Sequence, residues 1–332
     1  MLRLSPPRGE RLMQSHQLSA IFGGGEANVA VSLALFGHNV RYITALPENA
    51  LGDSAVAELK KHGLKTEYIK RQGKRIGIYF AETGANQRPS KVIYDRENSA
   101  AAAAKPGDFD WIEIFKGVEW FHITGITPAL SQTAADLTME AVQTANSLGI
   151  MVSIDFNFRS KLWKYGKSAP DVMNEIVKYA DVGIANEEDC QKSLGIEADV
   201  DVTKGRLNRK AYEKLTEDVM AAFPNLSKMA VTIRESKSVD TNSWTAVLRT
   251  KTGFLTGKRY EITDIVDRIG GGDAFSAGLI HGLDKHEDDQ EALNFAIAAS
   301  CLKHSIFGDF NLVSEEEVIK LMRGDTSGRI QR

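Results

Sequence analysis

Apolar runs of strand length alternate with stretches of helical period along most of this chain, and that alternation restricts the fold more than any other feature. Ala27, Ala30, Val31, Ala34 and Leu35 recur at i, i+3, i+4, i+7 and i+8, one face of a helix. Gly37 follows where such a helix would close. Residues 40–46 read as a strand, 54–62 as a helix ended by Gly63, and 120–124 as a short buried strand. A helix over 131–148, ended by Gly149, precedes apolar runs at 150–155, 182–186 and 229–233. Further helices are expected at 170–180, 210–222, 273–283, 290–304 and 314–323. This rhythm predicts an α/β fold, a doubly wound and mostly parallel sheet with helices on both faces.

One region breaks the rhythm. Residues 65–71, 75–82 and 91–96 are three β-rich runs with no helix between them, and Gly73 and the stretch 84–89 supply turns. A hairpin-rich insertion of this kind is a candidate lid, and residues 10–22 could add a strand to it. The expected division is therefore a main α/β unit of 1–9, 23–65 and 97–332, with a small β-sheet lid of 10–22 and 66–96.

Bulk properties remove several function classes. The 332 residues are 42% hydrophobic and 26% charged, enough for a large core in an ordinary globular protein. A net charge of −3 gives no general affinity for nucleic acid or anionic membrane. No run of apolar residues is long enough to span a bilayer, and no signal-peptide core opens the chain. Cys190 and Cys301 lie far apart and belong to no CxxC pair, which fits a reducing cytoplasm. The seven histidines show no metal spacing.

The chemistry-bearing motifs sit where strands or loops run into helices. Gly270-Gly271-Gly272-Asp273 runs straight into the small, apolar stretch Ala274-Phe275-Ser276-Ala277-Gly278. Glycines leave backbone N–H groups free to face a ligand, and a helix N-terminus adds partial positive charge. The stretch can hold a phosphate oxygen and place one carboxylate beside it, or be a glycine-rich loop with an ordinary capping Asp. Gly166-Lys167-Ser168 is no P-loop, because Lys161 stands where the first glycine belongs. Gly23-Gly24-Gly25-Glu26-Ala27-Asn28 also opens a helix, and Asn28 either bonds ligand hydroxyls or braces the turn. Asp155-Phe156-Asn157-Phe158-Arg159 follows a strand, where ligands bind in open α/β sheets. Arg159 offers a fork for a carboxylate or phosphate, or a surface ion pair. Asn186-Glu187-Glu188-Asp189 suits Mg²⁺ and its waters, or an acidic helix start. Tyr79, Tyr94 and Arg96 in the lid would suit a sugar acid, or be exposed sheet residues.

The two glycine motifs together resemble the paired signatures of the ribokinase, or phosphofructokinase-B, family of carbohydrate kinases. Gly23 to Ala30 with Gly37 and Gly52 carries the first, and Asp267 to Gly278 the second. Glu26-Ala27-Asn28, Gly77-Ile78-Tyr79, Tyr94-Asp95-Arg96, Gly125-Ile126-Thr127-Pro128, Leu162-Trp163 and Gly308-Asp309-Phe310 narrow the likeness to kinases of 2-keto-3-deoxy sugar acids. The resemblance implies a ribokinase-like fold and ATP-dependent phosphorylation of the 6-hydroxyl of 2-keto-3-deoxygluconate, the alternatives being a kinase of fructose or ribose in the same family or a non-catalytic sugar-binding homologue. Asp273 would be the base, and Gly270, Gly271 and Gly272 the anion hole. Gly24, Asn28, Tyr79, Tyr94, Arg96, Arg159 and Asp309 would contact the sugar acid. Asn157, Thr232, Arg234, Lys237 and the 270–272 loop would contact the nucleotide. Asn186 and Asp189 would organise Mg²⁺, with water-mediated contact because Asp189 is shorter than the family's Glu. The resemblance further implies a homo-oligomer joined through the lid sheet, and a strand ahead of the segment matching residues 1–7, usually interior to the sheet. An Asp at a helix N-terminus is expected to be a weak base.

Overall fold

The computed structural model describes residues 1–197, 208–236 and 238–324. Its large sheet runs Phe254–Thr256, Asn242–Thr250, Lys228–Ser236, Val182–Asn186, Met151–Asp155, Trp120–Thr124, with Tyr260–Ile262 also paired to Asn242–Thr250. The four strands from Lys228–Ser236 to Trp120–Thr124 are parallel, and the pairings beyond Lys228–Ser236 are antiparallel. Trp120–Thr124 ends the order, and no strand pairs with its outer edge among the described residues.

Side-chain alternation splits the core into two layers. Met229, Val231 and Ile233 face helices Gln132–Ser147, Ala169–Val177 and Arg209–Ala222 through Val142, Met173, Ile176 and Leu215. Ala230, Val182 and Ile184 face the opposite helices, Gly271–Lys285 and Asp289–Lys303, through Phe275, Leu279 and Ile297. Those two helices meet backbone to backbone. A β-carbon on Gly282 would lie 2.6 Å from the Ala292 Cα, and one on Gly278 2.7 Å from the Ala296 Cα.

The small sheet runs Ser19–Phe22, Leu2–Ser5, Ile78–Glu82, Lys91–Asp95. Three sequence expectations are corrected. Leu2–Ser5 lies in this sheet, parallel to Ile78–Glu82, and not with the main unit. The run at 65–71 supplies only Lys70–Arg71, which pairs with Ala45–Leu46 in a two-stranded ladder of its own. Residues 40–46 are strand only at Ala45–Leu46, because their partner segment, 65–71, forms only a single bridge and that short ladder. The pair Asn242–Thr250 and Lys228–Ser236 also extends further than the apolar run at 229–233 implies. The added residues are mostly polar, so apolar periodicity does not mark them.

Candidate active site

The two glycine motifs, remote in sequence, are joined by one amide. Asn28 Nδ2 donates to Asp273 Oδ2 at 2.6 Å, and Asn28 Oδ1 accepts from the Gly24 N–H at 3.2 Å. Both ends of this buried side chain are engaged within the protein. The bracing role is therefore the one the geometry displays. Glu26, two residues earlier, anchors the same helix start: its Oε1 accepts from Thr124 N at 3.2 Å, Thr124 Oγ1 at 2.9 Å and Thr127 Oγ1 at 2.7 Å.

Gly270 caps the helix Gly271–Lys285 in the left-handed region, φ 87°. A β-carbon there would also lie 2.1 Å from the Asp309 carbonyl oxygen, so both backbone conformation and space demand glycine. The loop is held from beneath by the last turn of Asp289–Lys303. Ser300 Oγ donates to the Gly271 carbonyl at 2.7 Å, and the His304 ring lies 3.0 Å from where a Gly271 β-carbon would be. Gly272 has nothing within 4 Å of that position and is exposed. The N-terminal amides of this helix thus form a short positive patch open to ligand, beside a carboxylate.

That carboxylate is a stronger base than its place at a helix N-terminus implies. Burial pushes the Asp273 carboxyl up to about 6, with the Asn28 hydrogen bond opposing and the charges of Asp309 and Glu26 assisting. Desolvation outweighs the helix dipole here.

An acidic pair, Asp155 and Asp189, also lines the cleft. Asp155, at the end of its strand, is raised well above the ordinary carboxylate range by burial and by the charges of Asp189 and Asp273. Burial lifts Asp189 to about 6. Asp189 Oδ1 accepts from Phe158 N at 2.8 Å, and Oδ2 from Asn186 N at 3.2 Å. Asn186 Oδ1 in turn accepts from Glu188 N and Asp189 N, completing a capping box. Asn157 is buried with φ 39°, and its amide lies 3.4 Å from Asp155 Oδ2. Among the described residues, no three His, Cys, Asp or Glu side chains are grouped as a metal site. Asp155 and Asp189, two buried carboxyls facing one cleft, are the residues that would hold a divalent cation through its water.

On the lid side, the expected substrate residues fall into two groups. Tyr79 donates to Asp309 Oδ2, and Arg3 Nη1 bridges Asp309 Oδ1 at 3.1 Å and Asp267 Oδ2 at 2.6 Å, all buried. Asp309 and Tyr79 thus satisfy each other in a network that ties the small sheet to the loops around the Gly271–Lys285 helix start. Arg96 is different. It is 8% exposed, stacks its guanidinium 4.3 Å over the Tyr94 ring, and leaves Nε and Nη2 without a partner. Burial and the nearby Arg159 lower its pKa. Arg159 itself is exposed, with Nη1 donating to the Phe158 carbonyl at 2.7 Å.

These groups line one cleft of about 1560 Å³ between the two sheets, which takes in Gly24, Asn28, Tyr94, Arg96, Arg159 and the glycine loop. Asn186, Thr232 and Arg234 line it too. Thr232 donates to the Ala185 carbonyl at 3.3 Å, and Arg234 is exposed. Arg268 binds the carbonyls of Ser238 and Val239, pinning the loop beside Arg234. Lys237 lies outside the described residues. Arg3, Asp155, Ser300 and Lys303 carry no role in the sequence expectations. Asp155 sits in a quoted motif, but the other three reach the site only through tertiary packing, which no local pattern signals.

The pfkB family carbohydrate kinase model matches residues 2–311. The 2-dehydro-3-deoxygalactonokinase of Haloferax volcanii is 32% identical over 99% of this chain and 96% of its own. The 2-dehydro-3-deoxygluconokinase of Bacillus subtilis is 26% identical over 89% and 85%. The crystal structure of 2-dehydro-3-deoxygluconokinase from Thermotoga maritima superposes with a TM-score of 0.92 at 46% identity, covering 98% of this chain and 96% of that one. The ribokinase-like fold and the facing glycine motifs agree with that likeness, and the chain belongs to the pfkB family of carbohydrate kinases.

Proposed function

We propose that this sugar kinase transfers the γ-phosphoryl of ATP to the 6-hydroxyl of 2-keto-3-deoxygluconate. The observation that carries the acceptor class is Arg96. A buried guanidinium with two unpartnered nitrogens, repelled by a second arginine, is matched by a carboxylate and not by a neutral hydroxyl. Arg159 is the second arm of the same recognition.

Asp273 accepts the 6-hydroxyl proton as the oxygen bonds to the γ-phosphorus, and the bond to the β,γ-bridging oxygen breaks with its electron pair leaving on ADP. The Gly270–Gly272 amides hold the transferring phosphoryl oxygens, where charge stabilisation does most of the work. Asn28 fixes the Asp273 carboxylate in place. Thr232, Arg234, Asn157 and Lys237 serve the nucleotide side. Asp189 and Asn186, with Asp155, would hold Mg²⁺ through water, and the ion would supply charge neutralisation at the phosphates. The exposed Ile93 of the small sheet and Leu18, just ahead of Ser19–Phe22, support an oligomer joined through the lid.

A panel of acceptors with coupled ADP detection tests the reading. The sugar acid should be turned over far better than fructose or ribose, and Arg96→Met should raise its KM at least tenfold with a smaller change in kcat. Equal or better use of fructose by the parent would sink it. The Haloferax relative favours including the C4 epimer, 2-keto-3-deoxygalactonate, as the second candidate acceptor.

A further inference from the structure

Lys303 closes the helix Asp289–Lys303 and is fully buried. Its Nζ donates to the Ile306 carbonyl at 2.9 Å. Burying an ammonium is costly unless it is paired, yet among the described residues no carboxylate oxygen lies within ion-pair distance of it. Its stem runs directly behind the glycine loop: a β-carbon on Gly270 would lie 3.2 Å from Lys303 Cε. The charged groups around it are Arg3 from the small sheet, Asp267 ahead of the glycine loop, Asp273 on the helix, and Asp309 after the turn. His304, next in the chain, is held neutral by burial, with its pKa lowered to about 4. Arg3 already bridges Asp267 and Asp309, so those two carboxylates share a contact cation without Lys303.

We propose that Lys303 is an electrostatic positioning residue for phosphoryl transfer. It is a fixed positive charge one layer behind Gly270–Gly272 that strengthens the anion hole through the backbone it supports. It touches no reactant, and no bond to it forms or breaks. In a dry interior such a charge acts across several ångströms with little screening, so its effect falls on the charge gathered by the transferring phosphoryl. The inference rests on the kinase reaction and not on the identity of the acceptor, so it is tested with ATP and whichever acceptor the enzyme phosphorylates best.

Lys303→Gln separates charge from packing, because its amide still reaches a carbonyl and carries no charge. The expected result is a kcat about 10–100-fold lower with sugar KM changed less than about threefold. Lys303→Met should behave alike. The parent supplies an independent readout that needs no variant. Burial lowers the ammonium pKa to about 8, so kcat should fall as pH rises through that region, and Lys303→Gln should lose this alkaline limb. Parent-like kcat in a folded Lys303→Gln, checked by thermal melting, would reduce the residue to a helix cap. So would a parent kcat that stays flat between pH 7 and 9 if neither variant folds.

Discussion

Asp273 carries two demands that pull against each other. As the proposed base it needs a raised pKa, and burial supplies one, at about 6. The same shift means that folding disfavours its ionised form. Because the folded pKa lies above the unfolded value of 3.8, the carboxylate subtracts stability above pH 6, and the loss is recovered as pH falls through 6 towards 4. Asp273→Asn should therefore lower kcat by about 10²–10⁴-fold yet melt higher than the parent at pH 8. The gain should be about 1–2 kcal/mol, less than the full shift converts to because water reaches the half-buried group, and it should vanish by pH 4. In the parent, kcat/KM should fall with unit slope below about pH 6. Melting curves at the two pH values and a pH–rate profile check both. A parent rate that holds flat down to pH 4.5 would remove Asp273 as the base. The sequence identified this residue from its glycines, but not its basicity. The dipole is visible in the motif, whereas the burial comes from Asn28 and Asp309 at distant positions.

At the scale of elements, the glycine loop depends on how closely two helices approach. Gly278 and Gly282 let Gly271–Lys285 rest against the Ala292 and Ala296 backbone, which sets the last turn of Asp289–Lys303 under the loop. Gly282→Val should cost about 1–3 kcal/mol through overpacking. It should also lower kcat, since Ser300 and Lys303 move with their helix; melting and steady-state rates measure the two losses. Helices with a clear apolar face, such as Gln132–Ser147 and Arg209–Ala222, were legible in the sequence to within a residue or two. So were the buried parallel strands, whose apolar runs need no alternation. Leu2–Ser5 was not, because a four-residue run states no preference between two sheets. Asn186 and Asp189 stand out in the sequence for their carboxylate and amide chemistry, while the capping box that occupies them shows only in the folded chain.

At the scale of the whole molecule, the cleft lies between two sheets and is closed by groups from opposite ends of the chain. Arg3 meets Asp267 and Asp309, and Asn28 meets Asp273 across 245 residues. Contacts of such separation form late in folding, after the loops between them have closed. After dilution from denaturant, helical signal should return in early phases, while kinase activity should reappear only with the slowest one. Stopped-flow circular dichroism alongside timed activity assays would show this, and activity recovering with the first phase would contradict it. The Asn28–Asp273 hydrogen bond thereby acquires a meaning in time. A ribosome releasing this chain has no working enzyme until residues near both ends are out and joined, so the first turnover also marks the completion of the fold.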